Sequence, residues 1–186
     1  MENPQNVAVL GGGSFGTVLA NLAASNGSNV SLWVRDSEQA LRINSEGANT
    51  TYHPELKLSK NIIASDDLRE VLNDKSIIFI ATPSIVFEQI VKRISDCIDE
   101  KPYLISCTKG ILDDPFRPLS EVISSSLKNT IGVLSGPNLA KEIADEKIAG
   151  TVIASLDENL IHIVKSLLSS KTFKTYSSKD LSLIHI

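Results

Sequence analysis

Four glycines fall within six residues, Gly11-Gly12-Gly13-Ser14-Phe15-Gly16, directly after the apolar run Val7–Leu10. A helical pattern follows, from about Phe15 to Ser25. Glycine loses more conformational freedom on folding than any other residue, so such a cluster needs a reason. Positions 11, 13 and 16 spell G-x-G-x-x-G, and a strand before it and a helix after it are the context in which that motif meets a dinucleotide. In that role Gly11 permits the tight turn, Gly13 admits the pyrophosphate close to the backbone, and Gly16 lets the helix close on the sheet. The helix start offers free N–H groups and the positive end of its dipole to the phosphates. A glycine-rich turn with no ligand is the plainer alternative.

The next strand reads Val30–Val34. In a dinucleotide site it usually ends in an acid that holds the ribose. Arg35 stands there instead, and a guanidinium suits a 2′-phosphate through paired hydrogen bonds. This tilts the expectation from NADH slightly toward NADPH. Asp36 could serve the ribose, or cap the helix that follows.

The same alternation continues to the end of the chain. Asn61–Ala64 reads as a short strand and Asp66–Leu72 as a short helix. Ser76–Ala81 is apolar throughout, as a central parallel strand requires. Ser84–Cys97 reads as a helix with Ile85, Ile90, Val91 and Ile94 on one face. Tyr103–Cys107, Ile131–Leu134, Thr151–Ala154 and Phe173–Tyr176 read as strands. Leu119–Leu127, Asn138–Ala144 and Leu160–Leu168 read as helices. The expected fold is α/β, a doubly wound, mainly parallel Rossmann-type sheet. Its ligands sit at the carboxyl ends of the strands. The loops beginning at Gly11, Thr82, Thr108 and Ser135 should therefore share one edge.

A chain of 186 residues with 42% hydrophobic and 22% charged residues can bury a sizeable core without staples. Its net charge of −4 argues against nucleic acid as a partner. No apolar run is long enough to span a membrane. Met1-Glu2-Asn3-Pro4 lacks the basic start of a secretory signal. Cys97 and Cys107 read as two reduced thiols in a cytoplasmic protein, and the scattered His53, His162 and His185 show no metal-ligand spacing.

Two further loops carry chemistry. In Thr108-Lys109-Gly110 the glycine allows a sharp turn, and the lysine amine is a compact charge for an anionic or oxygen-rich substrate. In Gly136-Pro137-Asn138 the loop opens a helix that Asn138 could cap.

Taken together, VAVLGGGSFGTVLA, LWVRD, ATPS, SCTKGI and LSGPNLAKEIA resemble, in order and spacing, the N-terminal domain of NAD(P)-dependent glycerol-3-phosphate dehydrogenase. The resemblance runs from Val7 to about Asp180. It implies NAD(P)H-dependent interconversion of dihydroxyacetone phosphate and sn-glycerol 3-phosphate, the entry to glycerophospholipid synthesis. It places Ser14 and Phe15 on the cofactor beside Gly11, Gly13 and Gly16, and Arg35 on its adenosine side. Lys109 reaches substrate and cofactor, Gly136 and Asn138 line the substrate, and Ala140 meets the nicotinamide end. The family often carries a small hydroxyl residue where Asn138 stands. The stretch NTTYHPELKLS lacks the family's Leu-Pro-Gly continuation and is assigned no role.

The family's helical second domain is absent from this sequence, and with it the proton-acceptor lysine of a Gly-Ala-Leu-Lys-Asn stretch. Residues 1–181 therefore read as an NAD(P)-binding domain and 182–186 as an unassigned tail, the mark of a truncated, frameshifted or deliberately shortened chain. No catalytic residue and no metal is expected within it. The expectation is a fragment that binds cofactor without turnover, from an enzyme whose full-length form could be a homodimer. An inactive nucleotide-binding module, or the first domain of another dehydrogenase such as a ketopantoate reductase, are the alternatives.

Overall fold

The computed structural model describes residues 5–113 and 116–182. The polar start Met1–Pro4 and residues 183–186 of the expected tail lie outside the described residues. The chain runs β1 (Asn6–Leu10), α1 (Ser14–Ser25), β2 (Asn29–Trp33), α2 (Ser37–Glu46), β3 (Ile62–Ser65), α3 (Leu68–Leu72) and β4 (Ile77–Ile80). It continues with α4 (Phe87–Ser95), β5 (Tyr103–Ser106), a hairpin of β6 (Ile111–Asp113) and β7 (Phe116–Pro118), then α5 (Leu119–Ser126) and β8 (Ile131–Ser135). The last elements are α6 (Ala140–Ala144), β9 (Ala149–Ala154), α7 (Glu158–Leu168) and β10 (Phe173–Ser178).

One sheet holds eight strands in the order β10-β9-β8-β5-β4-β1-β2-β3. β1 pairs in parallel with β2 on one side and β4 on the other, and β3, β5 and β8 extend the parallel set. β9 runs antiparallel to β8, and β10 follows β9 in parallel. This is the doubly wound, mainly parallel sheet, with a reversed pair at one edge. The carboxyl ends of β1, β4, β5 and β8 share one rim.

Alternate residues feed opposite faces, as strand geometry requires. Val7, Val9, Ile77, Phe79 and Ile105 enter one core with α1, α2 and α7. Ala8, Leu10, Ile78, Ile80 and Leu104 enter the other, with α3, α4 and α5. All four residues of β4 are fully buried, which explains its unbroken apolar sequence. On α1 the buried face includes Gly16, Ala20, Ala23 and Ala24, small residues that let the helix lie close to the sheet.

The structure moves some elements from their expected places. Pro83 leads into a single 3-10 turn, Ser84–Val86, so α4 starts only at Phe87. The tighter turn changes the phase. Ile85 is 88% exposed instead of sharing the face of Ile90, Val91 and Ile94, and Phe87 takes its place. The β6–β7 hairpin was not expected, because strands of three residues leave almost no periodic signal. Leu181 still packs against the second core.

The outer strand β3 is blunted by a side chain. Asn44 of α2 donates to the Ala64 carbonyl at 2.8 Å and accepts from the Ala64 N–H at 2.8 Å, closing the peptide that would otherwise be open to another strand. Asn44→Ala should lower stability by about 1 kcal/mol, the net value of such bonds at a wet site. It should also raise the aggregation rate. Urea denaturation and light scattering check both.

Candidate functional site

β1 and β4 lie side by side while the chain leaves them in opposite directions, which opens a crevice at their carboxyl ends. The glycine loop fills the floor of that crevice. Gly11 has φ +120, and a Cβ there would lie 2.6 Å from the Ala81 carbonyl oxygen at the end of β4. A Cβ on Gly16 would fall on the Gly11 carbonyl oxygen, and one on Gly12 on the Val34 side chain. Gly13 differs: nothing stands within 4 Å of the Cβ it lacks. Three of the glycines are thus required by the fold, and the fourth is not. Gly13 is the N-cap of α1 in extended conformation, and no side chain caps the helix there. The first N–H groups of α1 are left for a ligand or solvent. Open space, uncapped amides and a helix N-terminus together fit a pyrophosphate.

The loop rests on side chains that the sequence reading passed over. The Gly12 carbonyl accepts from Gln39 Nε2 at 2.8 Å and from Asn49 Nδ2 at 3.0 Å. The Gly13 carbonyl accepts from Thr17 Oγ1 at 2.7 Å. His53 Nε2 stands 3.0 Å from both the hydroxyl and the carbonyl of Ser14. Asn49 and His53 come from NTTYHPELKLS, and both are buried. They contact residues over thirty positions away in the chain. No local pattern marks such a contact.

The other loops are laced together along the same rim. Thr108 Oγ1 donates to the Thr82 carbonyl at 2.7 Å, joining the β5 and β4 loops. Lys109 Nζ donates to the Gly136 carbonyl at 3.0 Å, joining the TKG and GPN loops. Lys109 is exposed, and an ammonium has three donors, so further donors remain for an anion. Gly136 is close-packed: a Cβ would lie 3.2 Å from Thr151 Cα and 3.3 Å from the Gly150 oxygen. Asn138 does not cap α6, whose N-cap is Leu139. The Asn138 N–H instead closes on the Gly136 carbonyl at 2.8 Å, across Pro137. That tight turn sends its amide to Thr151 Oγ1 at 3.0 Å. Asn138 Oδ1 is buried with no hydrogen-bond partner among the described residues.

The structure thus brings Gly11, Gly13, Ser14, Phe15 and Gly16 into the β1 crevice and Lys109, Gly136 and Asn138 into a second group on the same rim. Ala140 opens α6 just beyond. Phe15 is half-buried against the first core. Arg35 is exposed past β2, and no hydrogen bond or ion pair among the described residues uses its guanidinium. Asp36 is occupied: its carboxylate accepts from the Glu38 N–H at 2.9 Å and caps α2. Among the described residues no group of three His, Cys, Asp or Glu side chains is placed to hold a metal, and no helix is long and apolar enough to cross a membrane. Cys107, next to Thr108, is buried, and burial pushes its thiol far above the usual range.

A doubly wound sheet with a glycine loop and an uncapped helix at its switch point has the form of a nucleotide-binding domain. Residues 6–161 match the family described as NAD-dependent glycerol-3-phosphate dehydrogenase N-terminus, and the chain belongs to that family. It is 45% identical over 181 residues to the glycerol-3-phosphate dehydrogenase [NAD(P)+] of Alcanivorax borkumensis, covering 97% of this chain and 53% of that protein. The enzyme of the same name from Acinetobacter baylyi is 44% identical over 176 residues, covering 94% and 49%. The chain therefore spans about half the length of these relatives. The crystal structure of glycerol-3-phosphate dehydrogenase from Coxiella burnetii superposes with a TM-score of 0.90 at 31% identity, covering 96% of this chain and 55% of that one. A ketopantoate reductase from Ralstonia eutropha shares the fold, with a TM-score of 0.70 at 14% identity over 96% of this chain and 58% of that one.

Gly16→Ala should cost about 1–3 kcal/mol or more, because its methyl overlaps a backbone oxygen that cannot yield cheaply. Gly13→Asp should not lower stability, since the space is open and aspartate is a favoured N-cap. Parallel denaturant titrations compare the two.

Proposed function

We propose that this chain forms the cofactor-binding half of an NAD(P)H-dependent glycerol-3-phosphate dehydrogenase. The reaction is the interconversion of dihydroxyacetone phosphate and sn-glycerol 3-phosphate, supplying glycerophospholipid synthesis in the cytoplasm. The observation that carries this reading is the Lys109 amine lying on the Gly136 carbonyl, on the rim where the uncapped glycine loop also opens. Residues 1–181 form the cofactor domain in this reading, and the tail is given no role. The longer protein can work as a homodimer.

The residues divide by chemistry. Gly11, Gly13, Ser14, Phe15 and Gly16 hold the pyrophosphate and its approach. Arg35 faces the adenosine end. Ala140 meets the nicotinamide end. Lys109 brings positive charge between cofactor and substrate, and Gly136 and Asn138 line the substrate. Bound NAD(P)H supplies the hydride. Reducing a ketone places negative charge on its oxygen and also needs a proton, so a fixed cation nearby favours the reaction. In this reading Lys109 supplies that charge. No acid is assigned within these residues for the proton.

Fluorescence titration with NADH and NADPH tests the cofactor half directly. Gly13→Asp should abolish binding of both while the protein stays folded, because a carboxylate then occupies the open anion position. Undiminished binding would remove the glycine loop from the site. For the reaction itself, the full-length gene product should oxidise NAD(P)H when given dihydroxyacetone phosphate, and no turnover would overturn the assignment.

Arg35→Ala should weaken NADPH by about tenfold or more, the worth of a charge-assisted pair, and leave NADH nearly unchanged. Equal losses for both cofactors would place Arg35 against the adenine instead.

A further inference from the structure

The backbone of the glycine loop is oriented from behind. The carbonyls of Gly12 and Gly13 receive side-chain donors, Gln39 and Asn49 at Gly12 and Thr17 at Gly13, and the His53 ring lies against the Ser14 carbonyl. A trans peptide is planar, and its N–H points opposite to its C=O. Holding the Gly12 carbonyl toward α2 and the 49–53 turn therefore turns the Gly13 N–H the other way. The Gly13 carbonyl points into α1, onto the N–H and hydroxyl of Thr17, and so turns the Ser14 N–H away from the helix. Successive amides presented together form a concave anion site. Were the Gly12 carbonyl free to turn outward, its negative end would face the phosphates.

The donors are fully committed. The Gln39 amide donates to Gly12 and, at 3.2 Å, to Asn49 Oδ1. The Asn49 amide donates to Gly12 and, at 2.8 Å, to Thr17 Oγ1, whose hydrogen goes to Gly13. Asn49 is 1% exposed and His53 6% exposed, so water does not compete for these bonds. The His53 N–H bonds back to the Asn49 carbonyl at 2.8 Å, which ties the two positions into one turn. His53 Nε2 stands 3.0 Å from both the hydroxyl and the carbonyl of Ser14, so either tautomer finds a partner there.

We propose that Gln39 and Asn49 are positioning residues for cofactor binding: by holding the Gly12 carbonyl inward they aim the amide that follows it at the pyrophosphate, with His53 bracing Ser14 beside it. This rests on the cofactor reading above. Asn49 and His53 touch no ligand in this reading and act only through the loop.

The test uses Gln39→Met and Asn49→Asp in the whole chain, with NADH, inorganic pyrophosphate and adenosine as calorimetric probes. Gln39→Met keeps length and apolar bulk on a half-buried helix face, and carries the test alone if Asn49→Asp fails to fold. The expected result is about tenfold weaker binding of NADH and of pyrophosphate, with adenosine binding unchanged. The Gly13 and Ser14 amide resonances should also shift in the ligand-free variants. Folded variants that bind NADH and pyrophosphate like the wild type would overturn the inference. So would an equal loss for adenosine, which would mean general damage. Wild-type protein that binds none of the probes would instead bring down the cofactor reading, and this inference with it.

Discussion

Backbone meets backbone where β1 and β4 part, and the rest of the rim depends on that contact. Gly11 approaches the Ala81 carbonyl so closely that a Cβ would sit 2.6 Å from it, and Gly16 brings α1 down onto the Gly11 carbonyl. These approaches set how near α1 lies to the sheet, and so where its free N–H groups stand. A methyl at either place would lift the helix or spread the strands. The crevice exists because the strand order turns back on itself at β1 and β4.

From that point the loops are joined in series by short, specific bonds. Thr108 reaches the Thr82 carbonyl, Lys109 the Gly136 carbonyl, and Asn138 the Thr151 hydroxyl, which in turn donates to the Ser135 carbonyl at 3.1 Å. Each bond ties one strand end to a neighbouring loop or strand. Groups held this way need little reorganisation when charge develops near them, which is where an enzyme gains most from electrostatics. Lys109 has one donor anchored on Gly136 and its charge still exposed.

Much of this was legible in the chain itself, for identifiable reasons. Ile77–Ile80 reads as a central strand because burial on both faces forbids polar residues. The glycine spacing is legible because backbone crowding at one turn is a local demand. Asp36 had two readings, ribose or helix cap, and the structure shows the cap. Asn138 has the type and place to cap α6, but the turn over Pro137 redirects its amide to β9. Ile85 was assigned to a helical face that a single 3-10 turn puts out of phase.

The sequence by itself determined the order of the strands and helices of the main sheet and the placing of four loops at strand ends, and the glycine spacing marked the crowded turn after β1. These depend on periodicity and on what a backbone without a Cβ can do, and both are properties of near neighbours in the chain. Only the tertiary structure decided that Gly13 alone of the four glycines faces open space, that Lys109 meets Gly136, and that Asn49 and His53 underlie the loop. Asn49 and Gly12 are 37 positions apart, and their bond forms only once β1 and α2 have packed. A hydrogen bond needs two groups within about 3 Å of each other, and packing alone brings such distant residues that close.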